Sequence, residues 1–381
     1  MIVLAILLAV LATGVLILMT HTQIIVGTIQ KLSASTVNTQ NSYEPLGKPM
    51  EGVKDNGQYI ITEVKYSENY PNSFLDITYP DENRETPRPT LIYFHGGGFF
   101  GGSKSVGDPL AESDATALLD DICAEGFNLV NIDYVLVPEY HFPAPLIQAN
   151  EAFQFLIDHA AEYHLNMDRV VIMGSSAGAI MTSQLGSIIT NPDYAKTLGI
   201  SPVLKPEQVK AVVLDDAPLV YDKFSLRTKV LVGNYVKGSI FLGREEKQKY
   251  NNILWVDSNY PDAFLLGSEY YVDMRELDAA LTSANAKHAL VDPFCILLPV
   301  SLSITKKYVN VSADESVREK TLSEITRLFA LLALAGDLGG AVGPAIIGNV
   351  SQKAANNLQA GVLAGIGFPI LEMPQTQHLG H

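Results

Sequence analysis

Two cysteines, Cys123 and Cys295, are all that the 381 residues contain. That excludes a disulfide framework, and their spacing is not that of a zinc site. Positive charge is scarce as well: 26 Lys and Arg stand against 41 Asp and Glu, a formal net charge of −15. A nucleic-acid partner would call for a basic patch, so none is expected. The acidic balance speaks to solubility, not to chemistry. No internal repeat is visible. His141, His159 and His164 lack carboxylates at ligand spacing, so neither a metal nor a cofactor is expected.

Charge is absent altogether from Met1 to Met19, and Lys31 is the first basic residue. About twenty apolar residues span a bilayer. A secretory signal would show a basic start and a shorter apolar run. Residues 1–20 are therefore expected to be a membrane anchor of unknown orientation, or else a signal-like helix. Residues 21–57 are polar and poor in pattern, and read as a linker.

From Tyr59 the texture is different. "YIITEVKY" and "FLDITYP" alternate and are rich in β-branched residues, as a hairpin would be. Short apolar runs follow: "TLIYFHG", "NLVNIDY", "VVIMG", "AVVLDD", "AFLLG" and "HALV". Helix-like segments separate them, among them Pro145–Tyr163 and Asp273–Asn285. This pattern predicts an α/β fold, a mainly parallel sheet with helices on both faces.

Two motifs carry chemistry. Gly174-Ser175-Ser176-Ala177-Gly178 fits G-x-S-x-G. Its glycines let a strand turn sharply into a helix, with the central serine exposed in a strained conformation. His95-Gly96-Gly97-Gly98 follows an earlier strand. The Lys-Ser/Thr of a phosphate loop is missing after it, whereas an HGGG segment supplies the second half of an oxyanion hole. Acyl transfer is the chemistry both motifs suit.

With these residues the chain resembles the hormone-sensitive-lipase-like branch of the α/β-hydrolases, close to acetyl esterases and carboxylesterases. Asp133-Tyr134-Val135-Leu136-Val137-Pro138-Glu139 and Phe142-Pro143-Ala144-Pro145 extend the likeness, which covers about residues 59–294. It implies the α/β-hydrolase fold over 58–294, with Ser176 as nucleophile. Gly97, Gly98 and Ala177 would be the oxyanion donors and His95 a loop-shaping residue. Spacing within the family maps Glu269 onto the catalytic acid and Asp273 onto the second carboxylate; Asp273 suits a helix N-cap equally well. The implied substrate is a small or short-chain ester. Phe99, Phe100, Tyr134 and Phe142 read either as pocket wall or as core.

The family's base is a histidine just after the last strand. Here His288 lies inside that strand, and none follows until His378 and His381. Without a base the serine is a weak nucleophile, so a ligand-binding protein on the same scaffold is the rival expectation. The tail, 295–381, is apolar and glycine-rich, and is expected to be an atypical helical C-terminus. Residues 328–369 resemble a fragment of a major-facilitator-type transporter, with no complete transport unit.

Overall fold

The computed structural model describes residues 2–32, 48–104, 115–267 and 269–291. Two helices open the chain, α1 (Ile2–Thr20) and α2 (Gln23–Leu32). The sheet begins with β1 (Glu51–Val53), β2 (Tyr59–Lys65), β3 (Phe74–Tyr79) and β4 (Pro89–Phe94). Helices and strands then alternate: α3 (Ala115–Ala124), β5 (Asn128–Ile132), α4 (Ala144–Asp158), β6 (Asn166–Ser175) and α5 (Ala177–Thr190). After α6 (Pro192–Leu198) come β7 (Val209–Asp215), α7 (Leu226–Lys237) and α8 (Arg244–Tyr250). The described chain ends with β8 (Ala263–Leu266), α9 (Tyr271–Ala284) and β9 (His288–Val291).

The nine strands form one sheet in the order β1-β2-β3-β5-β4-β6-β7-β8-β9. The first four in that row pair antiparallel, and the rest run parallel. Alternation explains why the middle strands read as unbroken apolar runs. Leu91 and Tyr93 of β4 enter one core, while Ile92 and Phe94 enter the other. Val171 and Met173 of β6 part from Val170 and Ile172 in the same way. Such strands, buried on both faces, need helices on both faces. α3 supplies one cover; α4 and α5 supply the other. This is the α/β-hydrolase fold.

The segment read as a linker carries structure. β1 extends the sheet into it, and α2 docks on the hydrolase domain with Thr22, Val26 and Gln30 buried. That spacing is helical, but two of the three docking residues are polar, so hydropathy does not reveal the face. α1 leaves the domain with its apolar side chains exposed, Val3, Leu11 and Leu16 among them. Among the described residues no single helix is long and apolar enough to cross a membrane. Ile6–Thr20 and Gln23–Lys31 qualify only as a pair, bent by 79°, and the second member is the docked one. The tail from 295 onward lies outside the described residues.

Candidate active site

β6 delivers Ser176 at the C-terminal edge of the sheet. The residue adopts φ 50° and ψ −110°, neither strand nor helix, a conformation that costs about 1–3 kcal/mol. Close packing enforces it. A Cβ on Gly174 would lie 2.2 Å from the Gly178 carbonyl oxygen, and one on Gly178 would lie 2.0 Å from that of Phe94. Only glycines let β6, β4 and α5 approach this closely. The Ser176 N–H donates to the Asp215 carbonyl at 2.8 Å. Ser175 donates its hydroxyl to Asp215 Oδ2 at 2.9 Å. Ser176 itself is partly exposed, and α5 begins immediately after it.

The loop after β4 lies beside the elbow. Gly97, Gly98 and Phe99 have φ of 105°, 58° and 63°, three left-handed residues in a row. Phe100 and Gly101 donate their N–H groups back to the Gly97 carbonyl, at 3.1 and 3.2 Å. Among the described residues, the N–H groups of Gly97, Gly98 and Ala177 have no backbone acceptor. Ala177 is the first residue of α5, where an amide has no intrahelical partner. These are the donors an oxyanion hole requires.

His95 shapes this loop from below. It is buried, stacks on Tyr134 with ring centroids 4.2 Å apart, and shares Nδ1 with the Gly96 carbonyl at 2.7 Å. The Tyr134 hydroxyl donates to the His95 carbonyl at 2.7 Å. Burial pushes the imidazole down to about 4, against a smaller opposing pull from the Gly96 carbonyl. The ring is therefore neutral in the folded state at pH 7. The unfolded chain takes up this proton near its ordinary value of 6.5 and the folded chain only near 4. Stability thus falls as pH drops through that window, by about 3 kcal/mol in total. Urea unfolding between pH 7 and 4 should show the slope, and His95→Gln should flatten it.

The far end of the loop is tied by charge. Lys104 is buried against Glu63 at 2.6 Å and Asp76 at 3.0 Å, and its backbone N–H donates to Asp133 Oδ1 at 2.7 Å. Burial alone would lower its pKa, but Asp133, Asp76 and Glu63 outweigh that and hold it above the usual lysine value. A bulge in β2 between Ile61 and Val64 places Glu63 at φ 60° for this contact.

Glu269 lies just beyond β8, at the same edge of the sheet as Ser176, and is exposed. Its N–H and that of Tyr270 donate to the two oxygens of Asp216, at 2.9 and 2.7 Å. Asp273 is committed elsewhere. It is buried, and its Oδ1 accepts from Leu219 at 2.8 Å and Val220 at 2.7 Å. Burial raises its pKa, and those two amides oppose the rise. Nor does it cap α9: Tyr270 holds the N-cap position.

His288 is not placed to serve Ser176. It pairs with Ala263 at the start of β9, level with Val212 and Ile172. Strand geometry puts it roughly 20 Å from the elbow. Asp278 at 3.1 Å and the Ala286 carbonyl at 2.8 Å hold its ring. The end of β9 is different: Val291 is level with Leu266 and Asp215, so that end lies at the site's edge. His378 and His381 lie outside the described residues. The aromatic residues also resolve. Phe99, Phe100 and Tyr134 are core, and Phe142 is half-buried against Tyr235.

Sequence reasoning missed Asp215 and Asp216, which look like the polar end of an apolar strand. The doubled aspartate of "AVVLDD" was the available signal.

A family model described as BD-FAE matches residues 75–269, just over half of the chain. The chain belongs to the BD-FAE family. Both motifs and Glu269 lie within the matched residues. Among curated relatives of this BD-FAE chain, an esterase from Gibberella moniliformis is 32% identical over 124 residues, 32% of this chain and 36% of that protein. An acetyl esterase from Salmonella paratyphi B is 31% identical over 96 residues, 25% of this chain and 28% of that protein. The chain thus spans about a third of the length of the curated relatives it matches. Esterase B from Lactobacillus rhamnosis superposes with a TM-score of 0.53 at 17% identity, over 74% of this chain and 89% of that one. A truncated carbohydrate esterase from gut microbiota gives 0.52 at 16%, over 74% and 99%. At such identity these structures speak to the fold alone. The transporter likeness of 328–369 has no support among these proteins.

Proposed function

We propose that this BD-FAE member is a carboxylesterase-type hydrolase acting on small or short-chain acyl esters. The observation that carries the proposal is the strained elbow of Ser176, set beside three backbone amides with no backbone acceptor among the described residues. In this reading Ser176 Oγ attacks the ester carbonyl. The N–H groups of Gly97, Gly98 and Ala177 receive the developing oxyanion, and the alcohol leaves with a proton. Water then releases the acid and restores the serine. Glu269 orients the base, as the acid of such a triad does. His288 is too distant to be the base, and His378 and His381 lie outside the described residues. The names of the two curated relatives given above, an esterase and an acetyl esterase, support the ester as substrate.

The test is labelling. An alkyl phosphonate ester with a good leaving group should add once to the full chain, and peptide mapping should find it on Ser176. Turnover of short-chain p-nitrophenyl esters should stop in step with labelling. Label elsewhere, or a folded chain that neither labels nor turns over, would favour the ligand-binding rival.

A second element of the reading is location. We infer that residues 1–20 anchor the enzyme to a membrane. A nineteen-residue helix without charge, with residues 3, 4 and 6–18 exposed, supports it, since a helix apolar on every side is either buried or in lipid. The full chain should float with phosphatidylcholine vesicles in a sucrose gradient, and the chain lacking residues 1–18 should not. Flotation of both, or of neither, would refute it.

A further inference from the structure

α2 lies outside the residues the family model matches, yet it reaches the oxyanion loop. Gln30 is 5% exposed. Its amide nitrogen donates to the Phe100 carbonyl at 2.8 Å and to the Val137 carbonyl at 2.8 Å. Both of its hydrogens are therefore used, each on a different loop. Those two loops are also joined directly, because the Val137 N–H donates to the Phe99 carbonyl at 2.9 Å. Phe100 in turn closes the tight turn on Gly97. The carbonyl that Gln30 grips is thus two residues beyond Gly98.

The same strap holds the other side of the loop. Thr22 donates its hydroxyl to Asn234 Oδ1 at 3.1 Å and its N–H to the Gly238 carbonyl at 2.9 Å. Next to Asn234 on α7 is Tyr235, whose ring stacks on Phe99 with centroids 3.5 Å apart. Phe99 is therefore held between α7 and the Val137 loop. The segment from Thr22 to Gln30 is bonded to both supports.

We propose that Gln30 is a positioning residue for the oxyanion hole: its amide fixes the loop carrying Gly97 and Gly98. The N-terminal segment thereby completes a site that the matched residues leave unsupported on one side. The proposal rests on the esterase reading given above. Chemistry favours an amide here. Two carbonyls face one buried point, and a group with two donors and the right reach satisfies both. An apolar residue of equal size would fill the space but leave both acceptors unmatched. The loop would then relax toward other donors, carrying its amides off target. A displacement of an ångström or so in a catalytic group is worth a large rate factor.

The experiment compares the full-length wild type with Gln30→Met, Gln30→Asn and Val26→Ala on a short-chain p-nitrophenyl ester. Met keeps the volume and removes both donors; Asn keeps the donors but pulls them back by one methylene. Val26→Ala removes buried volume from the same helix and leaves Gln30 intact. The expected result is a loss in kcat of about tenfold or more for both Gln30 variants, with KM unchanged. Val26→Ala should melt at lower temperature yet keep the wild-type kcat. The inference is overturned if either folded Gln30 variant keeps full kcat, or if the loss is in KM alone. It is equally overturned if Val26→Ala loses as much kcat as Gln30→Met, because α2 then contributes only docking. An inert wild type would instead refute the esterase reading, which separates the two failures.

Discussion

Ser176→Ala will leave a folded protein without measurable ester turnover. Removing the nucleophile from a serine hydrolase site costs on the order of a million-fold in kcat, because the covalent route is lost and only binding and oxyanion contacts remain. The fold has no reason to suffer. The elbow is held by backbone contacts, the Ser176 N–H to the Asp215 carbonyl and the Ile180 N–H to the Ser176 carbonyl. Alanine keeps both. It also keeps the strain, since any side chain at φ 50° and ψ −110° is out of place. Ser176→Gly separates the two effects. It too will be inactive, but should gain about 1 kcal/mol by relaxing the backbone strain. Chromogenic assay and thermal melting of wild type, Ser176→Ala and Ser176→Gly decide it. Residual turnover in the alanine variant above one part in a thousand would mean that another nucleophile does the work.

Gly178→Ala will be far more damaging to the fold. The added methyl would stand 2.0 Å from the Phe94 carbonyl oxygen, 2.6 Å from its carbon and 2.7 Å from the His95 oxygen. These are backbone atoms of β4 and of the loop that follows it, with no flexible side chain to give way. Every residue of α5 is buried, so the helix has no open side to shift toward. A loss of at least about 3 kcal/mol is expected, at the upper end for an overpacked core. Little soluble protein should be recovered. Gly199→Ala is the control. Gly199 closes α6 at φ 69°, and a Cβ there meets nothing within 4 Å. It should cost only about 1 kcal/mol, the left-handed conformation alone. Urea midpoints of the two variants test this. Equal midpoints would mean that α5 can move away from β4 after all.

The sheet was legible because its middle strands are buried on both faces. "TLIYFHG" and "VVIMG" are unbroken apolar runs for that reason, and their glycines mark the turns that the chemistry uses. α4 and α9 were legible because their apolar residues recur at helical spacing. α2 was not, because Thr22 and Gln30 dock it through hydrogen bonds that hydropathy does not register. Asp215 and Asp216 stayed hidden for a related reason. Their value lies in where their oxygens point, which depends on strands distant in sequence. The role of Asp273 was open between catalytic carboxylate and N-cap, and tertiary contact with the Leu219–Val220 turn gave it a third task. His288 reads as a strand residue in the sequence and is one in the structure, at the start of β9, with no loop from which to reach Ser176.

Asp215 and Asp216 carry a consequence for how the site tolerates motion. One holds the elbow of Ser176, through both its carbonyl and its carboxylate; the other holds the turn that carries Glu269. The two anchorages are separated by a single peptide bond. Whatever thermal displacement carries the tip of β7 carries Ser176 and the turn of Glu269 together, in the same direction and by nearly the same amount. Their separation is then referenced to a common origin and is insulated from the breathing of the sheet, much as two instruments bolted to one bench keep their alignment when the floor moves.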